Sequence, residues 1–240
     1  HSMKQNTWFD PFFIFENLSE EDKLIQKNVK QFCNAELRPN VVKYNHDHIF
    51  DKELYKEFGN LGVLGSTIKN YGGAAASNTA YGLINYEIEK IDSSYRSSIS
   101  VQSSLVIHPI NEFGSEEQKN IYLPDLISGN KIGCFGLTES EAGSDPSSMK
   151  TTYNKQKDGY VLNGSKNWIT NSPIADVFII WALNEKHEAN SIKGFILDKG
   201  MKGLSTQSIE NKTSLKISPT GQIIIDKVFV KNSSCLESTQ

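Results

Sequence analysis

The amino-acid sequence predicts an α+β protein, an all-α helical domain followed by an antiparallel β-sheet or barrel domain. Two observations carry that class. Apolar residues recur at helical spacing from Leu18 to about Gly129, and beyond Gly129 the pattern changes to short β-branched and aromatic runs. Helices that precede the strands, rather than alternate with them, argue against a doubly wound parallel sheet. A third observation agrees: no Gly-x-Gly-x-x-Gly follows a strand-like run, so a Rossmann dinucleotide site is not expected. The boundary falls near residue 130, giving a helical domain over 1–130 and a β domain over 131–240.

The first helix is LSEEDKLIQKNVKQFCNAEL. Ser19 stands three residues before Asp22, in the manner of a capping box, with acids in the first turn. Leu24, Ile25, Val29, Phe32, Cys33 and Leu37 then repeat at helical spacing until Pro39. A second helix fits Asp51 to Leu61, closed by the glycines of NLGVLG. A third fits Ser77 to Ile91, with Tyr81, Ile84, Ile88 and Ile91 on one face. Helix continues through Ser97–Leu105 and restarts at GSEEQ, where Ser115 and Gln118 form another capping box. The strands are CFGL, GYVLNG, ADVFIIWAL, IKGFILDK and GQIIIDKVFV, separated by Asn-Gly, Asp-Gly and Lys-Gly turn signals.

Composition narrows the function classes. A net charge of −3 over 240 residues argues against a nucleic-acid surface as the main purpose. No apolar run approaches the roughly 20 residues a membrane helix needs. Cys33, Cys134 and Cys235 lie far apart with no metal spacing, which favours unpaired thiols in a reducing compartment. The opening His-Ser-Met reads as an expression remnant. The pair His46 and His48 has no second cluster to complete a metal site, and His108 before Pro109 reads as a packed loop residue. Cys134 reads as a buried strand residue rather than a nucleophile.

Two blocks carry chemistry. CFGLTESEAGSDPSSM, Cys134 to Met149, is a strand running into a turn rich in glycine, hydroxyls and acids. Thr138 and Ser144 offer hydroxyl donors, and the chain around Gly143 can bend so that amides converge on an anion. A plain hairpin loop with solvated side chains is the competing reading. NGSKNWITNS, Asn163 to Ser172, puts Trp168 and Thr170 two apart and therefore on one face of a strand. A flat aromatic beside a hydroxyl suits a flavin ring; a half-buried core tryptophan is the alternative.

Together these blocks resemble the signature of the acyl-CoA dehydrogenase family, and the resemblance runs over essentially the whole chain. Within that family, YGLINYEIEKIDSSYRSSISVQSSLVIHPINEFGSEEQ looks most like the glutaryl-CoA dehydrogenases. Departures are mild; Ser140 stands where the family often has proline. The resemblance implies FAD as cofactor, contacted by Phe135, Gly136, Leu137, Thr138, Gly143, Ser144, Trp168, Ile169 and Thr170, with Thr170 at flavin N5. It implies α,β-dehydrogenation of glutaryl-CoA with decarboxylation to crotonyl-CoA, in lysine and tryptophan degradation. Electrons would pass to electron-transfer flavoprotein, in a homotetramer of the mitochondrial matrix.

Arg96, one of only two arginines among 25 basic side chains, has no evident ion-pair partner in the sequence. By resemblance it receives the substrate's terminal carboxylate, which guanidinium grips bidentately, helped by Glu89, Ser97 and Ser100; Ser144 also touches substrate. The family's catalytic base is a glutamate on a C-terminal helical domain, so no catalytic residue is expected in this chain. It reads as a fragment of a protein of about 390 residues, inactive alone. A short- or branched-chain acyl-CoA dehydrogenase, an acyl-CoA oxidase and a non-catalytic flavin- or partner-binding module are the competing functions.

Overall fold

Ser19 starts the first helix, α1 (Glu20–Phe32): its Oγ accepts from the Asp22 amide at 3.0 Å and donates to the Asp22 carboxylate at 2.7 Å. The other oxygen of Asp22 accepts from Ser77 Oγ at 2.6 Å. Ser77 is itself the cap of α4 (Asn78–Glu89), so one carboxylate joins the starts of two helices that pack together. These contacts belong to a computed structural model that describes residues 10–186, 188 and 191–236. The opening His-Ser-Met, expected to be an expression remnant, lies outside the described residues.

Helix α1 runs into a π-helical turn, Cys33–Leu37, that brings Cys33 and Leu37 into the core. Between it and α4 lie α2 (Val41–Asp47) and α3 (Leu54–Asn60). Helix α2 was not expected from the sequence. His46 sits inside α2 beside Asp47, and His48 ends it with a left-handed backbone, φ 56°. No metal-binding cluster occurs among the described residues.

Helix α4 stops at Glu89, and Asp92 starts α5 (Ser93–Ser100) by accepting from the Ser94 amide at 2.7 Å. The seven-residue separation of Glu89 and Arg96 therefore spans a turn between two helices. Helix α5 continues through a second π-helical turn, Val101–Ile107, into α6 (His108–Phe113). His108 is exposed on this helix, which corrects its reading as a packed loop residue. Helix α7 (Glu116–Ile127) opens with the capping box of Ser115 and Gln118. No helix among the described residues is long and apolar enough to cross a membrane.

The strands are β1 (Gly133–Gly136), β2 (Thr152–Lys155), β3 (Gly159–Thr170), β4 (Val177–Asn184), β5 (Lys193–Asp198), β6 (Leu204–Ser208) and β7 (Thr220–Lys231). Long β3 and β7 pair antiparallel, with β6 beyond β7 and β2 beyond β3. Strand β4 pairs antiparallel with β5 on one edge and parallel with β1 and then β2 on the other. The sheet is therefore mixed where an antiparallel one was expected. Its interior holds Cys134, Leu162, Ile180, Phe195, Ile223, Val228 and Val230.

Strand β4 explains how the two halves meet. Phe178, Ile180 and Ala182 face the sheet interior, whereas Val177 and Ile179 pack with Val106, Ile107 and Ile132 of the helical side. Both faces are buried, so the strand reads as a continuous apolar run. At the join, a Cβ on Gly133 would lie 2.4 Å from Val106 Cγ1, so only glycine fits. Buried Gln102, in the second π-helical turn, donates to the carbonyls of Leu126 and Lys131, each at 2.9 Å, and accepts from the Gly133 amide at 2.7 Å.

Candidate functional site

The loop after β1 is shaped by the chain's own polar groups. Glu139 and Ala142 exchange backbone hydrogen bonds, closing a tight turn over Ser140 and Glu141. Asp145 caps a short 3-10 turn, Pro146–Ser148. Gly143 lies between these turns with nothing near where a Cβ would stand and without a left-handed backbone. The chain bends at Gly143 and Ser144 as expected, and it does so without a left-handed glycine. Gly143 and Ser144 are exposed, and among the described residues nothing accepts from their amides.

Underneath lies a buried ion pair that the sequence reading did not identify. Lys166 is fully buried, and its Nζ donates to Glu139 Oε1 at 2.7 Å and to the Leu137 carbonyl at 3.0 Å. Glu139 also accepts from the amides of Lys150, at 2.7 Å, and Thr151, at 3.0 Å. Burial raises the Glu139 pKa, but the bonds from Lys166, Thr151 and Lys150 together outweigh it and hold the carboxyl below its usual range. Burial pulls the Lys166 ammonium down against the pull of Glu139. This carboxylate holds a loop in place and is not a free base.

The second block meets the first through Asn167, whose amide donates to the Thr138 carbonyl at 2.9 Å. Beyond it β3 bulges. Lys166 pairs with Ile223 and Ile169 with Gly221, so three steps of β3 match two of β7. Trp168 takes a left-handed backbone there, φ 61°. Regular alternation would put Trp168 and Thr170 on the inward face with Lys166. The bulge turns both outward and sends Ile169 into the core. Trp168 is 60% exposed, which overturns the core-tryptophan alternative.

Trp168 and Thr170 line a cavity of about 480 Å³ with Thr220 and the loop from Ile209 to Leu215. Lys212 shapes that loop: its ammonium donates to the carbonyls of Leu215 and Ser218 and to Thr220 Oγ1. Sequence reasoning missed Lys212 and Thr220 because their partners are met only when the loop closes. The other expected cofactor residues divide by their side chains. Leu137 packs with Ala142, Met149 and Leu183, Phe135 sits edge-on to Trp181, and Ile169 is in the core. A Cβ on Gly136 would lie 2.7 Å from Ile180 Cδ1. At Ile169 and Gly136 only the backbone is left to face a ligand, whereas the Leu137 side chain is half-buried. Among the described residues the hydroxyls of Thr138, Ser144 and Thr170 have no hydrogen-bond partner, and Cys134 is fully buried with its thiol pKa pushed up.

Arg96 has the ion-pair partner that the sequence did not reveal. Its Nε donates to Glu89 Oε2 at 2.7 Å and its Nη1 to Ser100 Oγ at 3.3 Å. Ser93 donates to the other Glu89 oxygen, and the bonds from Ser93 and Arg96 lower the Glu89 pKa. The break between α4 and α5 is what allows this pairing. Nη2 remains without a partner among the described residues, so the end of the guanidinium away from Glu89 is available. Glu89, Arg96 and Ser100 form one cluster; Ser97 lies beside it and accepts from Ser100 Oγ through its carbonyl. The carbonyl of Ser98 reaches Asn171, next to Thr170, at 3.3 Å.

Comparison with known proteins places both halves. Residues 19–130 match the family profile described as "Acyl-CoA dehydrogenase, N-terminal domain", and residues 134–228 that described as "Acyl-CoA dehydrogenase, middle domain". The chain is 35% identical over 216 residues to a short-chain-specific acyl-CoA dehydrogenase of Clostridium acetobutylicum, covering 89% of this chain and 57% of that protein. It is 36% identical to mitochondrial isovaleryl-CoA dehydrogenase of Pongo abelii, covering 91% of this chain and 53% of that one. A crystal structure of a glutaryl-CoA dehydrogenase from Mycobacterium smegmatis in complex with FADH2 superposes with TM-score 0.92 at 40% identity, covering 96% of this chain and 58% of that chain. The chain thus spans less than two thirds of these relatives.

Proposed function

The chain belongs to the acyl-CoA dehydrogenase family, and from that premise we propose that it forms the flavin- and acyl-facing part of an FAD-dependent dehydrogenase of the glutaryl-CoA type. FAD fits the donor set. The amides of Gly143 and Ser144, unpartnered among the described residues, and the Ser144 hydroxyl suit a pyrophosphate, and the Thr138 hydroxyl suits a pyrimidine edge. Trp168 and Thr170, turned outward by the bulge, offer a flat apolar cover and a hydrogen-bond donor. When bound, FAD supplies the acceptor for a hydride from the acyl β-carbon. The chain's own part is to hold ring and acyl chain in register and to exclude water. By family resemblance, the base for the α-proton is a glutamate outside these 240 residues, and electrons leave to electron-transfer flavoprotein.

The single observation that carries the glutaryl reading is Arg96. It is partly exposed, steadied by Glu89 and Ser100, and keeps donors for one more anion. An acyl chain ending in a carboxylate meets that need. A second reading rests on the same geometry: Glu89 already neutralises Arg96 at 2.7 Å, which would suit a neutral short or branched acyl chain. Arg96→Met in the full-length protein separates the two. We expect glutaryl-CoA kcat/KM to fall about a hundredfold, as about 1.5–3 kcal/mol per charge-assisted hydrogen bond allows, with butyryl-CoA turnover little changed. An unchanged ratio between the two substrates would sink the carboxylate assignment and favour the neutral acyl chain.

A further inference from the structure

Asn171 follows Thr170 directly, yet its side chain leaves the sheet. It is fully buried, and its Nδ2 donates to the Ser98 carbonyl of α5 at 3.3 Å and to the Gly133 carbonyl of β1 at 3.2 Å. Its backbone amide donates to the Pro219 carbonyl at 2.7 Å, beside the cavity residue Thr220. Tyr55, fully buried in α3, adds a second donor on Ser98, its hydroxyl lying 3.2 Å from the same carbonyl. Three walls therefore meet on one residue: the strand end bearing Trp168 and Thr170, the loop bearing Lys212, and the helix bearing Arg96 and Ser97.

The arrangement is costly. Asn171 holds a left-handed backbone, φ 70°, and its Oδ1 is buried without a partner among the described residues. An unsatisfied buried acceptor and a sparsely populated backbone region both oppose folding, and such features persist where the surroundings over-determine them. Two facing carbonyls leave only the donor end of the amide useful there, and aspartate cannot copy it while ionised.

We propose that Asn171 is a positioning residue that fixes the cofactor wall against the acyl wall, setting the approach of the acyl chain to the flavin. The proposal rests on the dehydrogenase reading above. Its test uses the full-length flavin-loaded protein and Asn171→Gly, which keeps the left-handed backbone and removes the bridge. Flavin and acyl-CoA dissociation constants should each stay within about threefold, while single-turnover bleaching of the flavin by acyl-CoA slows about tenfold to a hundredfold, the scale of a misplacement near 1 Å. A non-oxidisable acyl-CoA thioether should shift the flavin absorption band of the native protein but not of the variant. A purely structural residue would lower the melting temperature and leave both readouts intact in the folded fraction. That result overturns the proposal.

Should the glycine variant not fold, Asn171→Asp keeps the shape. The Tyr55 phenol faces it and the Cys134 thiol acts on that phenol; burial pushes both up, so both are neutral throughout the working range. A carboxylate against two carbonyls favours its protonated form, which regains one donor. The bleaching rate relative to native should therefore rise as pH falls, and a flat ratio overturns the positioning role. A native protein that binds flavin but is not bleached by any acyl-CoA would instead defeat the dehydrogenase reading, and the positioning role with it.

Discussion

Glu139 and Lys166 set the tolerance of the site to single changes. Both are buried, and each depends on the other for its charge. Removing one partner of such a pair costs about 3–5 kcal/mol, because the remaining charge stays desolvated. Glu139→Gln should therefore lower stability by about that amount in denaturant unfolding. The double change with Lys166→Met should cost less than the sum of the single changes. The pH dependence has a defined sign. With its folded-state pKa below the usual value near 4.5, the Glu139 carboxylate stabilises fully above that value. The contribution is lost as pH falls through the depressed pKa. Unfolding curves between neutral and acid pH should show this loss in the native protein and not in Glu139→Gln.

At the scale of elements, the bulge in β3 decides what the site presents. A left-handed tryptophan costs about 1–3 kcal/mol of backbone strain, partly offset by the contacts of its ring. Trp168→Gly should therefore change the stability of the flavin-free protein by less than about 1 kcal/mol while weakening flavin binding at least tenfold, read by flavin fluorescence titration. A large stability loss with unchanged flavin binding would refute that division of labour. The elements also show what was legible beforehand. The motif residues 134–149 and 163–172 are contiguous, so the sequence displays them whole. The partners are not: Lys166 meets Glu139 across 27 residues, and Glu89 meets Arg96 only because Asp92 breaks the helix. Strands β2 and β6, TYNK and LSTQS, are short and largely polar, so they carry little of the apolar signal that marked the other strands. The bulge escaped notice because strict alternation is the default expectation for a strand.

At the scale of the whole molecule, Gln102 and Gly133 couple the helices to the sheet. Gln102→Leu keeps approximate volume but strips hydrogen bonds from the carbonyls of Leu126 and Lys131 and the amide of Gly133. Each unsatisfied buried group costs about 1–3 kcal/mol. The expected result is a large loss of stability and a broadened or split unfolding transition, because the two halves no longer unfold together. Calorimetry reads this directly, and a single sharp transition at the native temperature would contradict it. The α-to-β boundary was legible because the repeat of apolar residues changes there. The coupling was not, because one glutamine in a serine-rich helix has no distinctive pattern.

The π-helical turn at Val101–Ile107 has a consequence for how this molecule can change over generations. A helix advances about 100° per residue, and a π-helical turn holds one residue more than regular winding would. Loss of a single codon there would remove the extra residue and restore ordinary winding, leaving the half bearing Arg96 near its present facing against the half packed on Gly133. One in-frame deletion or its reversal is thus absorbed within the turn, while the side chains on either half keep their neighbours. The turn is a point where the chain can gain or lose a residue without disturbing the acyl-facing half.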